Sequence, residues 1–311
     1  MKWISKEPDQ FNKEIESLKT LRNRISMELG LKAFVDDADA YSGRQQISLL
    51  VLIPKRGRSV AQKQVEEVLG SAGYKRPDPE STYVPIFFQE EQGQNVALLF
   101  YEARDFVRRV SEAEILTKLF KRRPDYVFIA ESISKYRNSA IARRSFSLLA
   151  CDERFLNKTF GKDTRTFGNS AIAAKIREIS NVDVLVNDIR TYVNGSLPSI
   201  DIHTKEKAKF DQANALLQSE GFKYERLKAN DESHFSVWKK EGAELIAFFP
   251  YENLFKENQA KNEWCKYLLT KFPDYALIAE MYFSVSKTGP HIDDILGDLA
   301  GNEDFRKLTG V

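Results

Sequence analysis

Two sets of residues in this sequence have the types and spacing to do chemistry. The first is basic. Lys55, Arg56 and Arg58 stand between an apolar run and the start of a helical pattern. Arg104, Arg108 and Arg109 follow, then Lys121, Arg122 and Arg123, then Arg143 and Arg144. Arginine dominates these groups, and its planar fork suits phosphates and carboxylates alike. At a helix start, free backbone N–H groups and the helix dipole add to the attraction for an anion. The second set is acidic. Ser170 opens a helical pattern, Asp183 follows in SNVDVLV, and Asp201 stands in SIDIH. Carboxylate oxygens are the hard donors that Mg²⁺ prefers.

The stretch Phe167-Gly168-Asn169-Ser170, followed by Asp183 and Asp201, resembles the signature of nucleotidyltransferases. The resemblance implies a metal-dependent transfer site built on Asp183 and Asp201, with Ser170 at the helix start. Asn181 stands where that signature has its first carboxylate, and Asn169 separates the glycine from the serine. A second enzymatic reading rests on the order of elements, which resembles the core of metal-dependent nucleases. Glu102-Ala103-Arg104 sits at a suitable strand end for it, whereas the second half offers Glu252-Asn253-Leu254. His203, His234 and His291 lie far apart in sequence, with no cysteine spacing that marks a metal centre. Asp36, Asp37 and Asp39 read as a solvated strand end. No cofactor is expected.

Charge favours the basic set. Residues 1–170 hold 29 lysines and arginines against 23 acids, whereas residues 171–311 hold 18 against 22. The excess lies in Tyr101–Arg165, with 15 basic and 9 acidic side chains. The function expected from this asymmetry is non-enzymatic binding, with the basic first half engaging an anionic partner, either an acidic protein or nucleic acid. The alternative is a divergent nucleotidyltransferase-like enzyme or a degenerate nuclease-like fold. No apolar run approaches the ~18 residues of a membrane span, and the charged start MKWISKEPDQFNKEIESLK is unlike a signal peptide. Cys151 and Cys265, one in each half, suggest no disulfide framework. The expected setting is the cytoplasm, with no membrane contact and with an oligomer possible.

The elements that must position these residues occur twice. KRRPDYVFIAESISK returns as TKFPDYALIAEMYFSVSK. The correspondence extends to Gly73 with Gly221, Gly93 with Gly242, Leu149-Ala150 with Leu299-Ala300 and Phe155 with Phe305, at an offset between 148 and 152. The fold class expected is α/β: a tandem duplication of one unit of about 140 residues, with helices on both sides of a mixed sheet. Residues 1–161 form the basic first unit, 162–169 the linker, and 170–311 the slightly acidic second unit. Each unit opens with a helix, near Phe11–Leu29 and Ser170–Ile179. Two strands follow, Lys32–Asp36 with Ile47–Ile53 and Asp183–Asn187 with Pro198–His203. Ser59 is expected to cap a helix with Ala61, Val65, Val68 and Leu69 on its apolar face. A hairpin pairs Tyr83–Gln89 with Asn95–Tyr101, and Pro85 marks an edge or bulge. Ser111 with Glu114 reads as a capping box opening a helix to Arg122. The continuous apolar run Asp125–Ala130 reads as a buried strand.

Overall fold

The computed structural model describes residues 8–38, 46–76, 85–89, 95–136, 139–152, 155, 170–190, 198–225, 236–242, 245–249, 251–286 and 290–311. The expected linker 162–169, Gly93, Gly168, Asp39 and His234 lie outside them. The chain forms two compact units, each with a mixed α/β core. The first comprises Met1–Asp152 together with Asp304–Val311, and the second Glu153–Glu303. Among the described residues, no helix is long and apolar enough to cross a membrane.

In the first unit, helix α1 (Pro8–Glu28) leads into strands β1 (Ala33–Asp36) and β2 (Ser48–Leu52). Helix α2 (Arg58–Ser71), β3 (Tyr74–Lys75), β4 (Ile86–Gln89) and β5 (Val96–Phe100) follow. Helices α3 (Ala103–Arg122), α4 (Asp125–Tyr136) and α5 (Ser139–Leu149) complete that stretch of chain. The sheet order is β1-β2-β5-β4-β3, with β2 and β5 parallel and every other pair antiparallel. On one face α1 (Leu18, Leu21, Ile25) and α2 (Val65, Leu69) bury Leu49, Val51, Ala97 and Leu99 of the central strands. On the other face α3 packs across β1, β2 and β5, with α4 and α5 behind it. Burying both faces is why the central strands are apolar throughout.

The second unit repeats this strand order. It runs α6 (Ala171–Ser180), β6 (Asp183–Asn187), β7 (Ser199–His203), α7 (Lys207–Ser219), β8 (Lys223–Glu225), β9 (Ser236–Lys239) and β10 (Leu245–Phe249). Helices α8 (Glu252–Lys271), α9 (Asp274–Ser286) and α10 (Ile292–Asp298) come after, and α11 is Glu303–Thr309. The order is β6-β7-β10-β9-β8, with β7 and β10 parallel. Val186, Ile200, Ile202, Ile246 and Phe248 pack against α6 and α7, and α8 covers the opposite face. Gly73 and Gly221 both take φ +83°, left-handed backbone that only glycine adopts cheaply, shortly before each unit's short third strand.

Five expectations are corrected. Asp36 is fully buried against Arg109 and Arg143 rather than solvated, because both arginines turn inward and compensate its charge. Asp125–Ala130 belongs to helix α4, not to a strand, and is buried on every side. A run apolar all round fits a buried helix as well as a buried strand. Ser111 lies inside α3, which starts eight residues earlier at Ala103 and has Glu102 as its N-cap residue. Helix α2 begins at Arg58, so Gly57 in left-handed backbone precedes it and Ser59 is not its cap. Pro85 directly precedes β4, an interior strand between β5 and β3, and its carbonyl accepts from the Leu99 N–H at 3.2 Å.

Helices α5 and α10 each dock in their own unit through ion pairs, buried in the first unit and partly exposed in the second. In the first, Arg143 of α5 lies 3.1 Å from Asp36 and 3.4 Å from Glu112 of α3, and Arg109 lies 3.0 Å from Asp36. In the second, α10 supplies the acids. Asp294 meets Lys261 of α8 at 2.6 Å, and Asp293 meets Arg190 at 3.3 Å. The segment Asp304–Val311 belongs to the first unit, where Phe305 is fully buried and sets its ring 5.7 Å from Phe128.

Candidate functional site

Parallel strands that send their helices to opposite faces leave a crevice at their carboxyl ends. Each unit is built this way. In the first, β2 leads to α2 on one face and β5 leads to α3 on the other. Both helices begin at these carboxyl ends, and neither has a side-chain cap hydrogen bond; in α3 the Asp105 N–H is already taken by the Glu102 carbonyl at 3.1 Å.

The basic residues of the loops and first turns surround it. Lys55, Arg56, Arg58, Arg104 and Arg108 are all exposed. Lys55 Nζ lies 3.1 Å from Glu102, and Arg108 lies 3.7 Å from Asp105. The Arg58 guanidinium sits 3.9 Å above the Tyr101 ring, whose hydroxyl donates to Gln62 Oε1 at 3.0 Å. Burial pushes that phenol's pKa up, and the positive charges of Arg58 and Arg76 pull it partly back.

The remaining basic residues do not join this crevice. Lys121 and Arg122 are exposed at the far end of α3, about 25 Å away at 1.5 Å per residue. Arg123 holds Asp125 through two bonds of 2.9 and 2.6 Å, with its guanidinium 4.2 Å over Tyr126. Arg144 is exposed on α5. Arg109 and Arg143 turn inward to Asp36, and Arg143 is 4% exposed. An anion outside the protein cannot reach Arg143. Sequence clustering grouped these residues because α3 and α5 each carry both solvent-facing and core-facing arginines.

In the second unit, Ser170 caps α6, its Oγ accepting from the Ala173 N–H at 3.2 Å. Asp183 is exposed on the edge strand β6, directly across from His203 of β7. Asp201 stands between Leu185 and Ala247 in register. Val184, Val186, Ile200 and Ile202 turn to the opposite face, so Asp183, Asp201 and His203 share the face covered by α8. Asp201 is buried and accepts from Asn258 Nδ2 at 3.3 Å. Burial raises its pKa to about 6, against the opposing pull of the Asn258 bond and Arg190, while Asp293 adds to the rise.

A cleft of about 190 Å³ opens beside them, lined by Asp183, His203, Glu252, Phe255, Lys256 and Gln259. His203 is 7% exposed and sets Nδ1 2.8 Å from the Phe249 carbonyl. Glu252 bonds Lys205 at 2.6 Å and Lys256 at 2.7 Å. Those bonds hold its carboxyl down at about 2. Sequence reasoning named His203 and Glu252 without joining them to Asp183, and it missed Lys256. The alternation in SIDIH was the available signal, since Ile200 and Ile202 pointing inward forces Asp201 and His203 together. Among the described residues, no three His, Cys, Asp or Glu side chains gather closely enough to hold a metal ion.

The chain matches no known protein-family model, no curated protein and no solved structure.

Proposed function

We propose that the protein acts by binding, with the crevice of its first unit engaging an anionic partner. The observation that carries this reading is the meeting of five exposed cations, Lys55, Arg56, Arg58, Arg104 and Arg108, with two helix starts that lack side-chain caps. Fixed N–H dipoles and mobile guanidinium groups act on the same anion there. The nucleotidyltransferase-like reading has one point in its favour, the shared face of Asp183 and Asp201. Against it, Asp201 is buried and bonded to Asn258, and among the described residues no three His, Cys, Asp or Glu side chains gather closely enough to hold a metal ion.

The same reading takes the two units as a duplication of one ancestral α/β unit, supported by their identical strand order and by Gly73 and Gly221 at matching places. It also places the protein in the cytoplasm, a setting in keeping with two free cysteines.

The test is charge reversal. Lys55, Arg56, Arg104 and Arg108 are changed together to Glu, leaving Arg58 on Tyr101, and binding to labelled duplex and single-stranded DNA is titrated against salt. Binding should fall at least about tenfold, and the salt slope should drop by about 0.9 for each phosphate that is no longer neutralised. The Lys121→Glu, Arg122→Glu pair should bind as the unaltered protein does. If DNA and RNA are ignored at low salt while an acidic protein is retained through the same four residues, the anionic partner is a protein. If neither is retained, the reading fails.

A further inference from the structure

We propose that the cleft of the second unit is a binding site for an organic cation, taking one ammonium or guanidinium group between Asp183 and His203.

The groups lining the cleft divide into those already engaged and those that are not. Lys256 and Lys205 are both held by Glu252. Gln259 donates its amide to Glu263 at 3.1 Å. Two groups remain, and both accept. The Phe249 carbonyl can only accept, so His203 Nδ1 carries a proton and donates to it. Its Nε2 lone pair makes no hydrogen bond among the described residues, although the ring is more than nine-tenths buried and lines the cleft. A ligand donor in the cleft can meet that nitrogen in place of solvent. Asp183 stands across the strand pair from it. Opposite residues in such a pair have Cβ atoms about 4.5–5.5 Å apart. Its carboxylate makes no ion pair among the described residues, though its charge acts on Lys256.

Two neighbouring acceptors, one charged, match a ligand that presents two N–H donors and a positive charge. A guanidinium edge or an ammonium group meets that description. Phe255 closes the cleft with an apolar wall, its ring 5.7 Å from the imidazole. Such a wall favours a weakly hydrated organic cation over a hydrated ion. Among the described residues, no three His, Cys, Asp or Glu side chains gather closely enough here to hold a divalent metal.

The first unit has no such pair. Lys32 lies opposite Leu52, joined by a backbone bond of 2.9 Å, at the place corresponding to Asp183 and His203. The site therefore belongs to one unit alone, and its sign is opposite to that of the first unit's crevice.

The experiment titrates the full chain with methylguanidinium and follows the backbone amide resonances of the second unit. Saturable shifts are expected around Asp183, His203 and Phe255. Urea has the same shape without the charge and should produce none. Asp183→Asn, an exposed position with no structural bond to lose, should weaken binding at least about tenfold. His203→Phe should do likewise, while His203→Gln, which restores an acceptor, should retain most of the affinity. A blocked arginine tripeptide separates the two sources of such a cation. Tighter binding than methylguanidinium assigns the site to a polypeptide side chain, and equal or weaker binding assigns it to a free small molecule. Equal response to urea, indifference to Asp183→Asn, or Zn²⁺ binding through the same two residues at lower concentration would each overturn the proposal.

Discussion

Asp201 illustrates how far a single residue's chemistry follows from its sequence position. Its place on a strand was legible, because SIDIH alternates. Its burial under α8 was not, because α8 is formed by residues about fifty positions later in the chain. That burial has a measurable sign. The folded carboxyl keeps its proton to about pH 6, whereas the unfolded one releases it near its ordinary 3.8. Between those values the folded state binds more protons, so stability falls as pH rises through that window and is flat above it. The full effect is on the order of 2–3 kcal/mol. Asp201→Asn keeps an acceptor for Asn258 and removes the charge. It should therefore stabilise the protein at pH 7 by about 1–3 kcal/mol, and denaturant titrations from pH 4 to 7 should lose most of their slope in that window. A variant less stable than the parent at pH 7 would mean that the ionised carboxylate is structurally required.

At the scale of elements, periodicity located both sheets and the helices flanking them, and it failed where packing overrides local pattern. The run DYVFIA is apolar on all sides because α4 lies against α3 and α5, so no alternation survived to distinguish helix from strand. Ser111 looked like a cap because α3 opens with the polar stretch ARDFVRRV, which hides its first two turns. The docking charges were invisible for a different reason. Arg143 of α5 pairs with Asp36 and Glu112, whereas on α10 Asp293 pairs with Arg190 and Asp294 with Lys261, so each unit joins its helix by different partners and comparing the halves shows only divergence. Each joint is specific to its own helix pair. Arg143→Met should cost about 3–5 kcal/mol, since it removes one of the guanidinium partners from a fully buried carboxylate. Adding Asp36→Asn to it should recover part of that loss, and chemical denaturation of the single and double variants measures both. Additive losses would mean that the two side chains are energetically independent.

At the scale of the molecule, the sequence carried the repetition of elements in each half but held no sign that residues 304–311 belong to the first unit. Phe305 corresponds to Phe155 in the repeat, and nothing local tells which core either ring enters. Phe305→Ala should cost about 3–5 kcal/mol. Hydrogen exchange should register the loss in amides of α4 and the other first-unit elements, while those of β7 and β10 keep their protection. Loss of protection confined to the second unit would contradict this assignment. The arrangement also orders events during synthesis. A first unit closed by residues 304–311 cannot be finished when its own strands and helices have left the ribosome. At about 5–20 residues per second, the roughly 150 residues still to come impose a wait on the order of ten to thirty seconds. Throughout that time the seat of Phe305 beside Phe128 stands open to water and to chaperones. A chain released early, anywhere after residue 152, leaves the ribosome with its first half incomplete. A chain that lacks residues 304–311 is thus marked by an unfinished first unit.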